Sequence, residues 1–287
     1  MNETDFLALL RPLATHPAAR GLRDDAAVLG DLVVTHDMLV EGVHFRAADA
    51  ANDVAWKLIA VNLSDLAAKG AVPVGVLLGY TLGEDTWDAA FVRGLEDVLS
   101  AFDVPLLGGD TVRGPRVLSL TALGRSVHAP SRSGARAGDA LWVTGVIGRT
   151  GLGLQRLGEN RSQDLGDEAY ISAYLRPTPR LAEGQALAPL VTAMMDVSDG
   201  LLIDAQRMAD ASEVALFIDL DAVPHVGERM AAMTAGDDYE LLFALPPDVI
   251  PPVAATRIGA FADGQGLMLR DANGSVALPT RLGWLHL

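Results

Sequence analysis

Strand-like and helix-like segments alternate along this chain, and that alternation points to an α/β (α+β) fold. Residues 3–13 read as a short amphipathic helix and 32–35 as a β-branched strand. Asn52 is placed to cap a helix through AWKLIAVNLSDLAAK, with Gly70 as its terminating glycine. Residues 74–81 predict a buried strand. Thr86 caps a helix to about Phe102, and 104–107 and 117–123 predict two more strands. The next stretch, APSRSGARAGD at 129–139, is rich in Ser, Gly, Arg and Pro, and no apolar period survives in it. It divides the chain into expected domains of 1–130 and 131–287. Beyond it, ALWVTG restarts a strand and GLGLQRLG a helix. Thr178 with Pro179 opens another helix, with Pro at its first position. Residues 193–195 form a short strand entering DVSDG, where Ser198 is placed to cap the helix LLIDAQRMADAS. Residues 214–219 and 241–245 are strands, and the tail from Arg257 alternates short strands and turns.

A chain of 287 residues suffices for one large domain or two ordinary ones. Half of it is hydrophobic but only 5% is aromatic, so the core must come from Ala, Val, Leu and Ile. The net charge of −15 argues against a nucleic-acid binder or a protein docking on anionic membranes. The absence of cysteine excludes disulfides, thiolate zinc sites and a Cys nucleophile. The opening MNETDFLALL is acidic where a signal peptide is positive. The richest apolar run, 72–82, is broken by Pro73, Gly75 and Gly79, too soon to span a bilayer. The expected location is the cytoplasm.

The chemistry lies in the acidic residues. Asp24 and Asp25 precede AAVL, Asp37 ends DLVVTHD and Asp110 ends PLLGGD. Asp196 and Asp199 sit in DVSDG, and Asp237, Asp238 and Glu240 in AGDDYELLF. Each stands at a strand end or glycine turn beside sequence that must be buried. Asp65 lies within a mostly apolar helix, with Asn62 one turn earlier on the same face. An isolated buried carboxylate is costly, so many Asp with few Lys suggest divalent cations, and an all-oxygen set suits Mg²⁺. Each feature has a plainer reading. A lone Asp after a strand serves as a turn or helix cap, DVSDG as a strand-to-helix turn, GGD as a tight turn, and Asp65 as part of a solvated stripe. Other sites are excluded. There is no GxxxxGK[ST], and Lys57 and Lys69 are the only lysines. The protein-kinase HRD and DFG set is missing, GLGLQRLG lacks the last glycine of the dinucleotide pattern, and the six His show no zinc spacing.

The strings GLRDDAAVL, VVTHDMLVEGVHF, AVNLSDLAAKGAVP, LLGGDT, SRSGARAGD, DVSDGL and GDDYEL occur in that order. Together they resemble the thiamine-monophosphate kinase family, whose superfamily includes aminoimidazole ribonucleotide synthetase and selenophosphate synthetase. The resemblance covers essentially the whole chain. NLSDLAAKGAVP and VEGVHF are highly specific, whereas DVSDG and GGD are shared across the superfamily. It implies two α/β domains of the aminoimidazole ribonucleotide synthetase-like architecture, ATP in the cleft between them, and a homodimer through the N-terminal domains. The implied reaction transfers a phosphoryl group from ATP to thiamine monophosphate, giving thiamine diphosphate and ADP.

Carried over motif by motif, the resemblance implies magnesium ligands at Asp25, Thr35, Asp37, Asp65, Asp110, Asp196 and Asp199, with Asp65 bridging several ions. It implies ATP contacts at Gly109, Arg132 and Ser198, and contacts to the phosphorylated thiamine at His44, Asp237 and Trp284. The attacking phosphate oxygen is already ionised near neutral pH, so no catalytic base is assigned. Catalysis would be positioning and charge stabilisation. Three positions depart from the family pattern: Arg23 replaces the second glycine of Gly-x-Gly-Asp-Asp, His36 replaces Ser or Thr, and Asp237 replaces Glu. Other readings are a superfamily enzyme with another acceptor, a nucleotide-binding regulator without turnover, and a magnesium-dependent ATP hydrolase.

Overall fold

The computed structural model describes residues 3–159 and 166–285. Helix α1 (Glu3–Leu10) runs into a 3₁₀ turn, Arg11–Leu13. Then follow β1 (Ala27–Leu29), β2 (Leu32–Val40), α2 (Ala51–Ala68), β3 (Val72–Leu82), α3 (Asp85–Phe102), β4 (Leu106–Arg113) and β5 (Val117–Arg125). Their strands form one sheet in the order β1-β2-β5-β3-β4, antiparallel except at the β3–β4 pair. The C-terminal part holds β6 (Ala140–Thr144), α4 (Arg149–Gly158), α5 (Glu168–Leu175), α6 (Leu181–Leu187), β7 (Ala193–Asp196) and α7 (Leu201–Ser212). It continues with β8 (Ala215–Asp219), α8 (Arg229–Thr234), β9 (Leu241–Leu245), β10 (Ala255–Ala262), β11 (Gly266–Asp271) and β12 (Gly274–Val276). The second sheet has the order β12-β11-β8-β10-β6-β9-β7.

Helix α2 joins the two halves. Leu58, Leu63 and Leu66 are fully buried against the first sheet, each contributing about 2 kcal/mol of hydrophobic stabilisation. Ala67 and Ala68 at its far end pack with Leu187, Met194 and Phe243 of the C-terminal part. Gly184 makes this contact possible, because a Cβ there would lie 2.0 Å from the Ala67 carbonyl oxygen. The Trp56 indole N–H donates to the Pro177 carbonyl at 3.0 Å, a second tie from α2. Among the described residues, no helix is long and apolar enough to cross a membrane.

Several boundaries differ from the sequence reading. Helix α2 begins at Ala51 behind Ala50, so Asn52 is inside it; α3 begins behind Glu84, so Thr86 is inside it as well. The strand expected at 104–107 lies at β4, and Asp110 is within it rather than at its end. The helix expected from Thr178 and Pro179 begins only at Leu181, behind Arg180, whose ψ of 51° is not helical. Ser198 does not cap α7 with its side chain. Instead, the Asp204 carboxylate reaches back and accepts the backbone N–H groups of Ser198 and Asp199 at 3.1 and 3.0 Å.

A carboxylate-lined candidate active site

Strand alternation puts Thr35 and Asp37 of β2 on one face, towards α2. Asn62 on α2 accepts the Asp37 backbone N–H at 3.1 Å and donates to the Leu58 carbonyl at 2.9 Å, fixing strand against helix. The Thr35 hydroxyl lies against Asp65 Oδ2 and 3.2 Å from the Asp25 carbonyl oxygen. Ser64 donates to Asp196 Oδ2 at 2.6 Å, so α2 also touches the end of β7. Asp65 is the one residue of 58–68 that keeps partial solvent contact, which places it in a crevice rather than on an outer stripe.

Burial raises the Asp37 carboxyl to about 6, helped by the nearby charges of Asp25 and Asp199. Burial and the charges of Asp25, Asp204 and Asp37 raise Asp196 to about 8, against the hydrogen bond from Ser64. Asp65 is pushed well above the carboxylate range by burial and by Asp37, Asp196 and Asp25. Asp25 behaves oppositely. Burial would raise it, but Arg132 and Lys69 hold it down to about 2. Lys69 Nζ is fully buried, 2.5 Å from Asp24 Oδ1 and 2.7 Å from Asp25 Oδ2.

This donor set fits a divalent cation. Asp37, Asp65 and Asp196 repel one another, and among the described residues none of them makes an ion pair. Asp25 Oδ2, though close to Lys69, lacks a partner in hydrogen-bond geometry. The donors are hard oxygens, the type Mg²⁺ takes. Among the described residues no three acidic or imidazole side chains already close around one point, so the carboxylates line a space rather than a finished cage. A cavity of about 250 Å³ lies beside them, lined by Asp24, Asp25, Thr35 and Asp37.

The other expected residues divide into two groups. Arg132 pairs with Asp25, while its buried Nε has no partner. Asp199 pairs with Arg207 and accepts the Trp284 backbone N–H on its carbonyl at 2.8 Å, which places Trp284 beside DVSDG. The Ser198 carbonyl accepts the Asp237 N–H at 2.7 Å. Asp237 Oδ2 lies 2.6 Å from Lys57 Nζ, and Lys57 also donates to the His44 carbonyl at 3.1 Å. His44 Nδ1 accepts the Val40 N–H at 3.0 Å, leaving the proton of the neutral ring on Nε2. Gly109 and Asp110 do not join these residues. They lie on the exposed strand β4, three strand spacings from β2, or about 14 Å along the sheet.

Ser64, Lys69, Asp204 and Arg207 belong to this site but were not singled out for it in the sequence. For Ser64 a signal existed, a hydroxyl beside Asp65 in an apolar helix; the others act on residues revealed only by folding. Two departures from the family pattern cost little. Arg23 has φ −126°, which any L-residue adopts. Strand alternation puts His36 on the face opposite Thr35 and Asp37, where it meets Thr121 at 2.8 Å.

Residues 23–126 match the AIR synthase related protein N-terminal domain, and 136–275 the corresponding C-terminal domain. The thiamine-monophosphate kinase of Caulobacter vibrioides is 40% identical, covering 99% of this chain and 91% of its own length. The structure described as AaThiL complexed with AMPPCP and TMP has a TM-score of 0.89 at 28% identity, over 100% of this chain and 97% of that one. The thiamine-monophosphate kinase of Stenotrophomonas maltophilia K279a has a TM-score of 0.79 at 37% identity, over 95% and 96%. The carboxylate cleft and these likenesses together place the chain in the thiamine-monophosphate kinase family.

Proposed function

We propose that this chain transfers the γ-phosphoryl group of ATP to thiamine monophosphate, giving thiamine diphosphate and ADP. The observation that carries the reading is the set of carboxylates Asp37, Asp65 and Asp196, half-buried or buried, drawn from both sheets and α2 and with no cation of the described residues paired to them. Such a face holds its charge only with cations from outside, and polyphosphate substrates bring the anionic partners that Mg²⁺ links. Asp25, Thr35, Asp37, Asp65, Asp196 and Asp199 would hold several magnesium ions. Magnesium, when bound, neutralises phosphate charge as a Lewis acid.

The protein's own part is positioning. Arg132, with its unpartnered Nε, is suited to an ATP phosphate, and Ser198 lies in the adjoining turn. His44 and Asp237 meet at Lys57 and face the acceptor end, with Trp284 beside the DVSDG turn. The attacking phosphate needs no base, so a lysine–aspartate pair at that end orients rather than deprotonates.

The chain divides at 130/131, and it works as a homodimer. The dimer is supported by β4, an edge strand with Leu106, Leu107 and Val112 exposed, and by exposed Val72 and Leu77 on β3 beside it. A second copy packed on that edge would bring its Gly109 and Asp110 to the nucleotide and metals.

The test is ADP release with ATP and magnesium, with and without thiamine monophosphate. ADP release that needs thiamine monophosphate, yields thiamine diphosphate and stops with chelator bears the proposal out. ATP binding without acceptor-dependent turnover, or turnover with plain thiamine or an aminoimidazole acceptor, contradicts it.

A further inference from the structure

The chain has two lysines, and both are buried with their ammonium groups on aspartates. Lys69 serves the Asp24–Asp25 turn. Lys57 stands instead at Asp237 and His44. We propose that Lys57 is the positioning residue of the acceptor end, setting Asp237 and His44 at a fixed separation across the two halves of the chain. This rests on the reading that Asp237 and His44 contact the acceptor.

The geometry supplies the reason. Lys57 lies on α2, with its side chain 3% exposed. Its ammonium meets three groups from three other segments. Asp237 Oδ2 is 2.6 Å away, the His44 carbonyl 3.1 Å, and the Tyr174 ring centroid 4.1 Å. A buried ammonium is tolerated only when its donors are used, so these partners hold it and it holds them. Tyr174 is itself fixed, its hydroxyl 3.3 Å from Asp49 Oδ2.

Asp237 needs such a hold. Its φ of +68° is in the left-handed region, unfavourable for a residue with a Cβ. Its backbone N–H is pinned to Ser198, its Oδ1 accepts the Tyr239 hydroxyl at 2.9 Å, and its Oδ2 is left to Lys57. The carboxylate keeps 35% exposure, so it is aimed into open space rather than sealed in the core. Where the family pattern predicts Glu, the shorter Asp237 reaches less far, and the ammonium sets where that reach ends.

The experiment uses the full chain as wild type, Lys57→Met, Lys57→Arg, Asp237→Asn and the Lys57→Met/Asp237→Asn double variant. It measures kcat, KM for thiamine monophosphate, KM for ATP, and Tm. Lys57→Met is expected to raise the acceptor KM about tenfold or more, the loss of a charged hydrogen bond, with the ATP KM nearly unchanged. Lys57→Arg restores part of the loss, and it carries the test by itself if the Met variant fails to fold. The double variant is expected to be no worse than Asp237→Asn in acceptor KM. An acceptor KM unchanged by both Lys57 variants, while Asp237→Asn raises it, overturns the role of Lys57 and leaves the acceptor site standing. Equal rises in both KM values, tracking Tm, show a merely structural tie and overturn it as well. An acceptor KM unmoved by Asp237→Asn overturns the acceptor-site reading itself.

Discussion

Asp25 and Asp196 are both buried carboxylates of one cleft, yet their surroundings are opposite. Around the 24–25 turn, Arg20, Lys69 and Arg132 answer the negative charges, and Asp25 stays ionised down to about 2. Beside them, Asp37, Asp65 and Asp196 face one another with no cation of the described residues paired to them, and Asp196 rises to about 8. The first region is finished as a folded unit. The second is unfinished until cations arrive, which is what a site for metal-bridged phosphates requires. The same chemical group therefore has protein cations around it in one place and none in the other, decided by the side chains within about 4 Å.

The contrast is broken or sharpened by four changes. Asp65→Asn keeps the shape of the unpaired face and removes one of its charges. Turnover should fall about 10³-fold, read as ADP release, while the metal-free protein melts no lower than wild type. Near-normal turnover contradicts the role of that face. Asp25→Asn acts on the paired wall and leaves Lys69 and Arg132 short of a buried partner. It should cost about 3 kcal/mol of unfolding free energy in a denaturant titration without metal; an unchanged midpoint breaks the comparison.

Acidity separates the walls next. Asp37 and Asp196 have folded values above their unfolded one, so their contribution is full below about 4 and is lost as pH rises through about 6 and about 8; Asp65 is shifted in the same direction. Asp25 is lowered, so its contribution is present above about 4 and lost as pH falls towards 2. The Tm of metal-free protein should therefore drop by about 5 °C between pH 5 and pH 8, and magnesium should restore it more at pH 8. A Tm that rises over that interval contradicts the unpaired face. The smallest effect belongs to Asp204, which belongs to neither wall but holds the turn bearing Ser198 and Asp199. Asp204→Asn keeps an acceptor for the Ser198 and Asp199 N–H groups and weakens the pair with Arg207, and should lose about 1 kcal/mol, measured by chemical denaturation.

Much of the unpaired wall could be read in the chain. Asp37, Asp65 and Asp196 stand within apolar runs whose burial follows from pattern alone, and a carboxylate there demands an answer. The α/β alternation likewise marks most strands and helices. What pattern hides is pairing across long separations. Lys69 meets Met194, Lys57 meets Asp237 and Ser64 meets Asp196, contacts of 125, 180 and 132 residues that no local spacing records. Asp110 is the converse case. LLGGD reads as a strand closing in a glycine turn, but the two glycines lie in an edge strand with φ +154° and +155°, where a Cβ on Gly109 would strike the Leu78 carbonyl oxygen. A close backbone approach, not a turn, places glycine there.

The central claim is that the unpaired face of Asp37, Asp65 and Asp196 takes up divalent ions. Calorimetric titration of magnesium into chelator-stripped protein at pH 7, repeated in two buffers of different ionisation enthalpy, tests it most directly. Binding is predicted to release about one proton, since Asp196, raised to about 8, must ionise to become a ligand, and Asp65→Asn is predicted to reduce the number of ions bound. Binding without proton release, or a number of bound ions unaffected by Asp65→Asn, would contradict it.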